Sequence, residues 1–161
     1  MGVGKSAVLA EASDLLARRR IDHAAVDVDA LGLAYLPSGN ATDDVMYRNL
    51  GSVCENYAAL GVKRILLARA IESRSELEIC QRAVQAKHTV VCRLTASMKT
   101  MEERVRIRES GPLQQGFVSR VAKLNAILDD ARLEDFTIAN DYGPLAEVAH
   151  EMLMKAGWIS S

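Results

Sequence analysis

The chain has 161 residues, 49% of them apolar and 25% charged, which suffices for one domain with a substantial core and excludes a disordered or fibrous chain. Its 20 Lys and Arg against 21 Asp and Glu exclude a general polyanion binder, so no nucleic acid polymer is expected as a partner and any nucleotide handling must come from a local site. Cys54, Cys80 and Cys92 lie far apart without metal-ligand spacing and read as reduced thiols; with no membrane-length apolar run and no signal-peptide pattern, a cytoplasmic protein without membrane contact is expected.

The first residues, Gly2-Val3-Gly4-Lys5-Ser6, read as the back half of a phosphate-binding loop. The full pattern would place its opening glycine two residues before Met1. Val8, Leu9, Ala12, Leu15 and Leu16 follow at helical spacing, and Arg18, Arg19 and Arg20 close the segment as cations near a helix C-terminus should. A glycine turn opening a helix suits phosphate chemistry. Main-chain amides from Gly2 to Ala7 would hold di- and triphosphate oxygens at the positive helix end, Lys5 would add a point charge, and the Ser6 hydroxyl would ligate Mg²⁺. The competing reading is a flexible start with a stray lysine.

The run from His23 to Asp29 reads as a short strand whose Asp27 and Asp29, on alternate residues, point the same way. At the carboxyl end of a parallel strand they would sit where open α/β sheets bind ligands. One would hold Mg²⁺, with Asp29 the candidate beside Ser6, and the other would orient or deprotonate an acceptor hydroxyl. Leu31 to Asn40 has the composition of a loop, yet its Leu31, Leu33, Tyr35 and Leu36 suggest a packed flap. Thr42-Asp43-Asp44 starts a helix that runs to about Leu60. Asn49 and Asn56, seven apart, share a face that would either line a substrate pocket or be plain solvent surface.

Val62 to Ile71 contains the apolar run of a strand buried on both sides, with Arg69 and Glu72 at its ligand-side end. A helix over 73–86 and a β-branched strand over 89–94 continue the alternation, which indicates a doubly wound parallel sheet. A helix over 97–109, capped by Ser97, carries Arg104 and Arg108 on one face. After the Ser110-Gly111-Pro112 break, Gln114 to Ala131 resumes it, so that 97–131 would form a lid over phosphates, unless its arginines are only a solvated basic face. A last strand over 135–139 precedes a helix begun by Gly143-Pro144.

In this order of elements, Gly4-Lys5-Ser6 opening a helix and the Arg104/Arg108 pair make the chain resemble the P-loop kinases of nucleotides and small metabolites, such as adenylate, shikimate and adenylylsulfate kinases. The resemblance implies a single α/β domain over 1–161, a P-loop three-layer α/β/α fold with a mainly parallel sheet. It also implies ATP and Mg²⁺ as cofactors, and transfer of a phosphoryl group to a small acceptor. Carried over residue by residue, Arg104 would stack on adenine, Arg108 would reach the phosphates, and Asn140 and Tyr142, in the loop after the last strand, would touch the adenine. Lys5, Arg108 and one of Asp27 and Asp29 would be catalytic. Asp29, Asn49, Asn56, Arg69 and Glu72 would meet the acceptor. The chain departs from the family by lacking residues for its central first strand, so a start site placed too late is expected. Otherwise the flanking strands must close on each other, or another segment must fill the gap, since each buried unpaired main-chain group costs about 1–3 kcal/mol. The alternatives to an enzyme are an ATP-binding regulatory module, or a non-catalytic remnant that dimerises through exposed sheet edges.

Overall fold

The computed structural model describes residues 1–33, 42–112 and 114–160. Helix α1, Lys5–Arg18, starts directly after Gly4 and buries Val8, Ala12 and Leu16, the i, i+4, i+8 stripe its spacing predicts. The first strand β1, Ala24–Asp27, stops earlier than expected, because Val28–Gly32 turns into a 3₁₀ helix started by the Asp27 carboxylate, which accepts a hydrogen bond from the Asp29 amide. Residues 34–40 of the predicted flap lie outside the described residues. Then come α2, Thr42–Ala59, strand β2, Ile65–Ala68, and α3, Arg74–Val84. Ser73 caps α3 by accepting from the Glu76 amide. Strand β3, Cys92–Thr95, leads into α4, Met98–Arg108, capped by Ser97 as predicted. Helix α5, Gln114–Ala131, strand β4, Phe136–Ala139, and α6, Leu145–Lys155, complete the described elements.

The four strands lie between two helix layers. Val8, Ala12 and Leu16 of α1 pack with Ile138 of β4 and Val148, Ala149 and Leu153 of α6, and Leu66, Cys92 and Leu94 close against this cluster. On the opposite face Val26, Met46, Tyr47, Leu50, Cys54 and Cys80 form a second cluster, joined by Ile65 and Leu67. The alternation of Leu66 to one side and Ile65 and Leu67 to the other is the period of a strand buried on both faces. Side chains as fully buried as Leu16, Leu50 and Leu153 contribute about 1.5–3 kcal/mol each. A third cluster, Met101, Val105, Val118 and Val121, joins α4 to α5 and receives Met1 and Val3.

The sheet is divided. Strand β1 pairs in parallel with β2, and β3 in parallel with β4; among the described residues β2 and β3 do not pair with each other. Among these residues the two flanking strands do not close on each other, and no described strand lies between them. A cavity of about 330 Å³ lies there instead, with Ile65 to Ala68 on one wall and Thr89 to Leu94 on the other. This division also shortens β3. Thr89 and Val90, expected in the strand, border the cavity and have no neighbouring strand to pair with among the described residues.

Candidate active site

Gly2 and Gly4 have φ of +75° and +85°, where a side chain is strained. A Cβ on Gly2 would run into the Met101 carbonyl, and one on Gly4 would lie 2.6 Å from Asn140 Nδ2. The loop therefore approaches its neighbours with bare backbone. Asn140 is buried and donates from Nδ2 to the Val3 carbonyl at 2.7 Å, while its own amide donates to Thr95 O at 2.7 Å. Among the described residues Asn140 Oδ1 is buried without a partner. Gly4 supplies no side-chain cap, so the first amides of α1 are unclaimed by any described side chain.

Lys5 is the first residue of α1, and Ser6 and Ala7 beside it are exposed. Ser6 Oγ donates to Asp27 Oδ2 at 2.5 Å, and Asp27 Oδ1 accepts from the Asp29 amide at 3.2 Å. Because the strand ends at Asp27, the two carboxylates do not point the same way. Asp27 turns to Ser6 at the start of α1, whereas Asp29 accepts from Arg69 Nη1 at 2.6 Å. The carboxylate beside Ser6 is thus Asp27, not the Asp29 expected there. A hydroxyl and a carboxylate in contact, next to free helix amides and a lysine, suit a magnesium ion and a polyphosphate.

Arg69, just past β2, is the hub of the neighbouring region. Besides Asp29 it binds Glu76 at 3.1 Å and lies 3.5 Å from Asp43, while Tyr47 donates to Glu76 at 2.8 Å. Burial opposes the Arg69 charge, but Asp29 and Glu76 outweigh it and hold the guanidinium more firmly protonated than usual. Burial, then the bond to Glu76, pushes the Tyr47 hydroxyl up. Glu72 donates its amide to Glu76 Oε2 at 2.7 Å and its carboxylate lies 3.9 Å from Arg120. Asn49 donates to Leu31 O at 2.9 Å and so ties α2 to the 3₁₀ turn. Asn56 is exposed farther along α2.

On α4, Arg104 is committed to main-chain oxygens. Nη1 donates to Asn140 O at 2.8 Å and Gly2 O at 3.4 Å, and Nη2 to Asp141 O at 2.9 Å. It clamps the loop at Gly2 to the loop after β4. Arg108 is exposed and paired with Glu109 at 2.8 Å, yet near enough to Met1 that its charge, with those of Lys5 and Arg120, helps burial to hold the terminal amine at about 6. Arg120 of α5 went unnoticed in the sequence because nothing in its spacing links it to the loop. Tyr142 is exposed in the loop after β4, its hydroxyl accepting from Thr100 Oγ1 at 3.3 Å. Hydrogen bonding from the Ser97 amide lowers the nearby Asp141 carboxyl. Elsewhere burial raises Cys54, Cys80 to about 11 and Cys92 to about 12, so these thiols are not nucleophiles at neutral pH.

No family model matches the chain, and no curated protein matches it in sequence. Among solved structures, a gluconokinase from Sinorhizobium meliloti 1021 aligns over 98% of this chain and 87% of its own, with a TM-score of 0.63 and 22% identity. The chain shares the α/β fold of that gluconokinase. In that fold the bare loop, Asp27 and Arg69 all lie at the carboxyl ends of the strands, the side on which open α/β sheets bind ligands. No described helix is long and apolar enough to cross a membrane.

Proposed function

We propose that the chain is an ATP-dependent phosphotransferase acting on a small hydroxyl- or phosphate-bearing acceptor. The observation that carries this reading is the continuous line Ser6, Asp27, Asp29, Arg69, which joins the phosphate loop to a polar, charged acceptor side without a break. The loop amides and Lys5 would bind the phosphates, and Ser6 with Asp27 would hold the metal. Magnesium bound with the nucleotide would neutralise phosphate charge. Asp29, its orientation fixed by Arg69, would accept the proton of the acceptor hydroxyl, and Arg108 and Arg120 would neutralise charge growing on the transferred group.

The structural likeness to a gluconokinase puts sugar acids such as gluconate first among acceptors to try. With ATP and Mg²⁺, acceptor-dependent ADP release is expected for one member of a panel of polyols, sugar acids and nucleoside monophosphates. It should fall by about a hundredfold or more in Lys5→Ala. A second reading, a nucleotide-binding module without transfer, draws on the engagement of both terminal Arg104 nitrogens with carbonyls, which removes one cation from the phosphates. ATP binding without ADP release across the whole panel would favour that module over the enzyme.

A further inference from the structure

We infer that the acceptor side built around Arg69 selects an uncharged or amino-bearing polyol and turns away acceptors that carry a carboxylate or a phosphate. The inference rests on the proposed phosphotransferase and names the class of its acceptor. The cation that an anionic acceptor would seek is already taken. Arg69 donates Nη1 to Asp29 at 2.6 Å and both Nε and Nη2 to Glu76 Oε1 at 3.3 and 3.1 Å, and Asp43 stands 3.5 Å from Nη2. One guanidinium thus faces three carboxylates, which leaves two formal negative charges in excess. The order from solvent inward sharpens the effect. The Asp43 and Asp29 side chains are 73% and 51% exposed and that of Arg69 only 21%, so an incoming molecule meets carboxylate oxygens before it meets the cation.

The surroundings do not restore the balance. Arg120 stands 3.9 Å from Glu72, and this pair adds no net charge. Arg48, one residue beyond the Tyr47 that bonds Glu76, is exposed and turned about 100° around α2 from it. Residues 34–41, which join the 3₁₀ helix to α2 in sequence, contain no Lys, Arg or His. Carboxylate oxygens only accept hydrogen bonds, so the groups that match this face are donors, hydroxyl or ammonium. An ionised carboxylate or phosphate brings acceptors and a like charge toward Asp29 and Asp43 instead. In the transfer, the acceptor oxygen bonds the γ-phosphorus of ATP as the bond to the ADP oxygen breaks, and the hydroxyl proton passes to Asp29. The order of preference is the reverse of the one that the likeness to a gluconokinase alone suggests.

The test measures ADP release with ATP and Mg²⁺ against matched alditols, aldonic acids and aminoalditols of equal carbon number, with nucleoside monophosphates alongside. An alditol or an aminoalditol is expected to turn over with kcat/KM about tenfold or more above that of the aldonate of the same length. The rise in Tm that each compound gives without nucleotide should follow the same order. Asp43 is exposed, so Asp43→Asn should fold normally and narrow the gap about threefold, and added salt should narrow it too. A preference for the aldonate, release with nucleoside monophosphates only, or a gap that Asp43→Asn leaves unchanged overturns the inference while the phosphotransferase stands. No release with any of these compounds removes the transferase reading and the inference with it.

Discussion

Gly4 shows at single-residue resolution how the candidate site is built. Its φ of +85° would cost a side chain about 1–2 kcal/mol, and the added Cβ would displace the Asn140 amide from Val3 O, a bond worth about 1 kcal/mol. Gly4→Ala should therefore lower unfolding stability by about 2–3 kcal/mol, read as a shift of the urea midpoint; a change below about 0.5 kcal/mol would mean that the loop relaxes freely. The glycine turn that opens α1 was legible in the sequence from the spacing of Gly2 and Gly4 and the apolar period that follows. The division of labour between Asp27 and Asp29 was not. It depends on β1 ending at Asp27, and the alternation argument placed both carboxylates on one unbroken strand. Arg104 was singled out by the resemblance as a residue to stack on adenine; its observed hydrogen bonds go to carbonyl oxygens of two loops.

At the scale of elements, local signals specified most of the helices. Ser73 and Ser97 cap α3 and α4, the break at Gly111-Pro112 separates α4 from α5, and α5 begins and ends where its apolar period does. Helix α4 has a particular burden, since it carries Arg104 at its centre and Arg108 at its end. Its start is held by Ser97 Oγ accepting from the Thr100 amide at 3.2 Å, and by Asp141 accepting from the Ser97 amide at 2.7 Å. Ser97→Ala should cost about 1 kcal/mol and speed exchange of the Thr100 amide. Unchanged exchange there would assign the capping to Asp141 alone. Strand ends were harder to read, because pairing partners, not propensity, decide where a ladder stops. Thr89 and Val90 have strand composition but border the cavity.

Across the whole molecule, the layering of α1 and α6 on one face and α2 and α3 on the other follows from the apolar periods, and the structural likeness bears out the fold. That β2 and β3 stand apart was legible only through the resemblance, which leaves a gap between them; nothing in either strand encodes the distance across it. The central claim spans both halves of the divided sheet: the loop at Lys5 and Ser6, braced by Asp27 from one half and Asn140 from the other, holds a magnesium-bound polyphosphate. Thermal unfolding with ATP and Mg²⁺ tests it most directly. At about a hundred times the dissociation constant, binding adds about 2.7 kcal/mol, or roughly 5–10 °C in Tm. That rise should appear in the unaltered chain, vanish in Lys5→Ala, and lose its dependence on Mg²⁺ in Asp27→Asn. A Tm that ATP and Mg²⁺ leave unmoved, or one that rises equally in Lys5→Ala, would contradict the account.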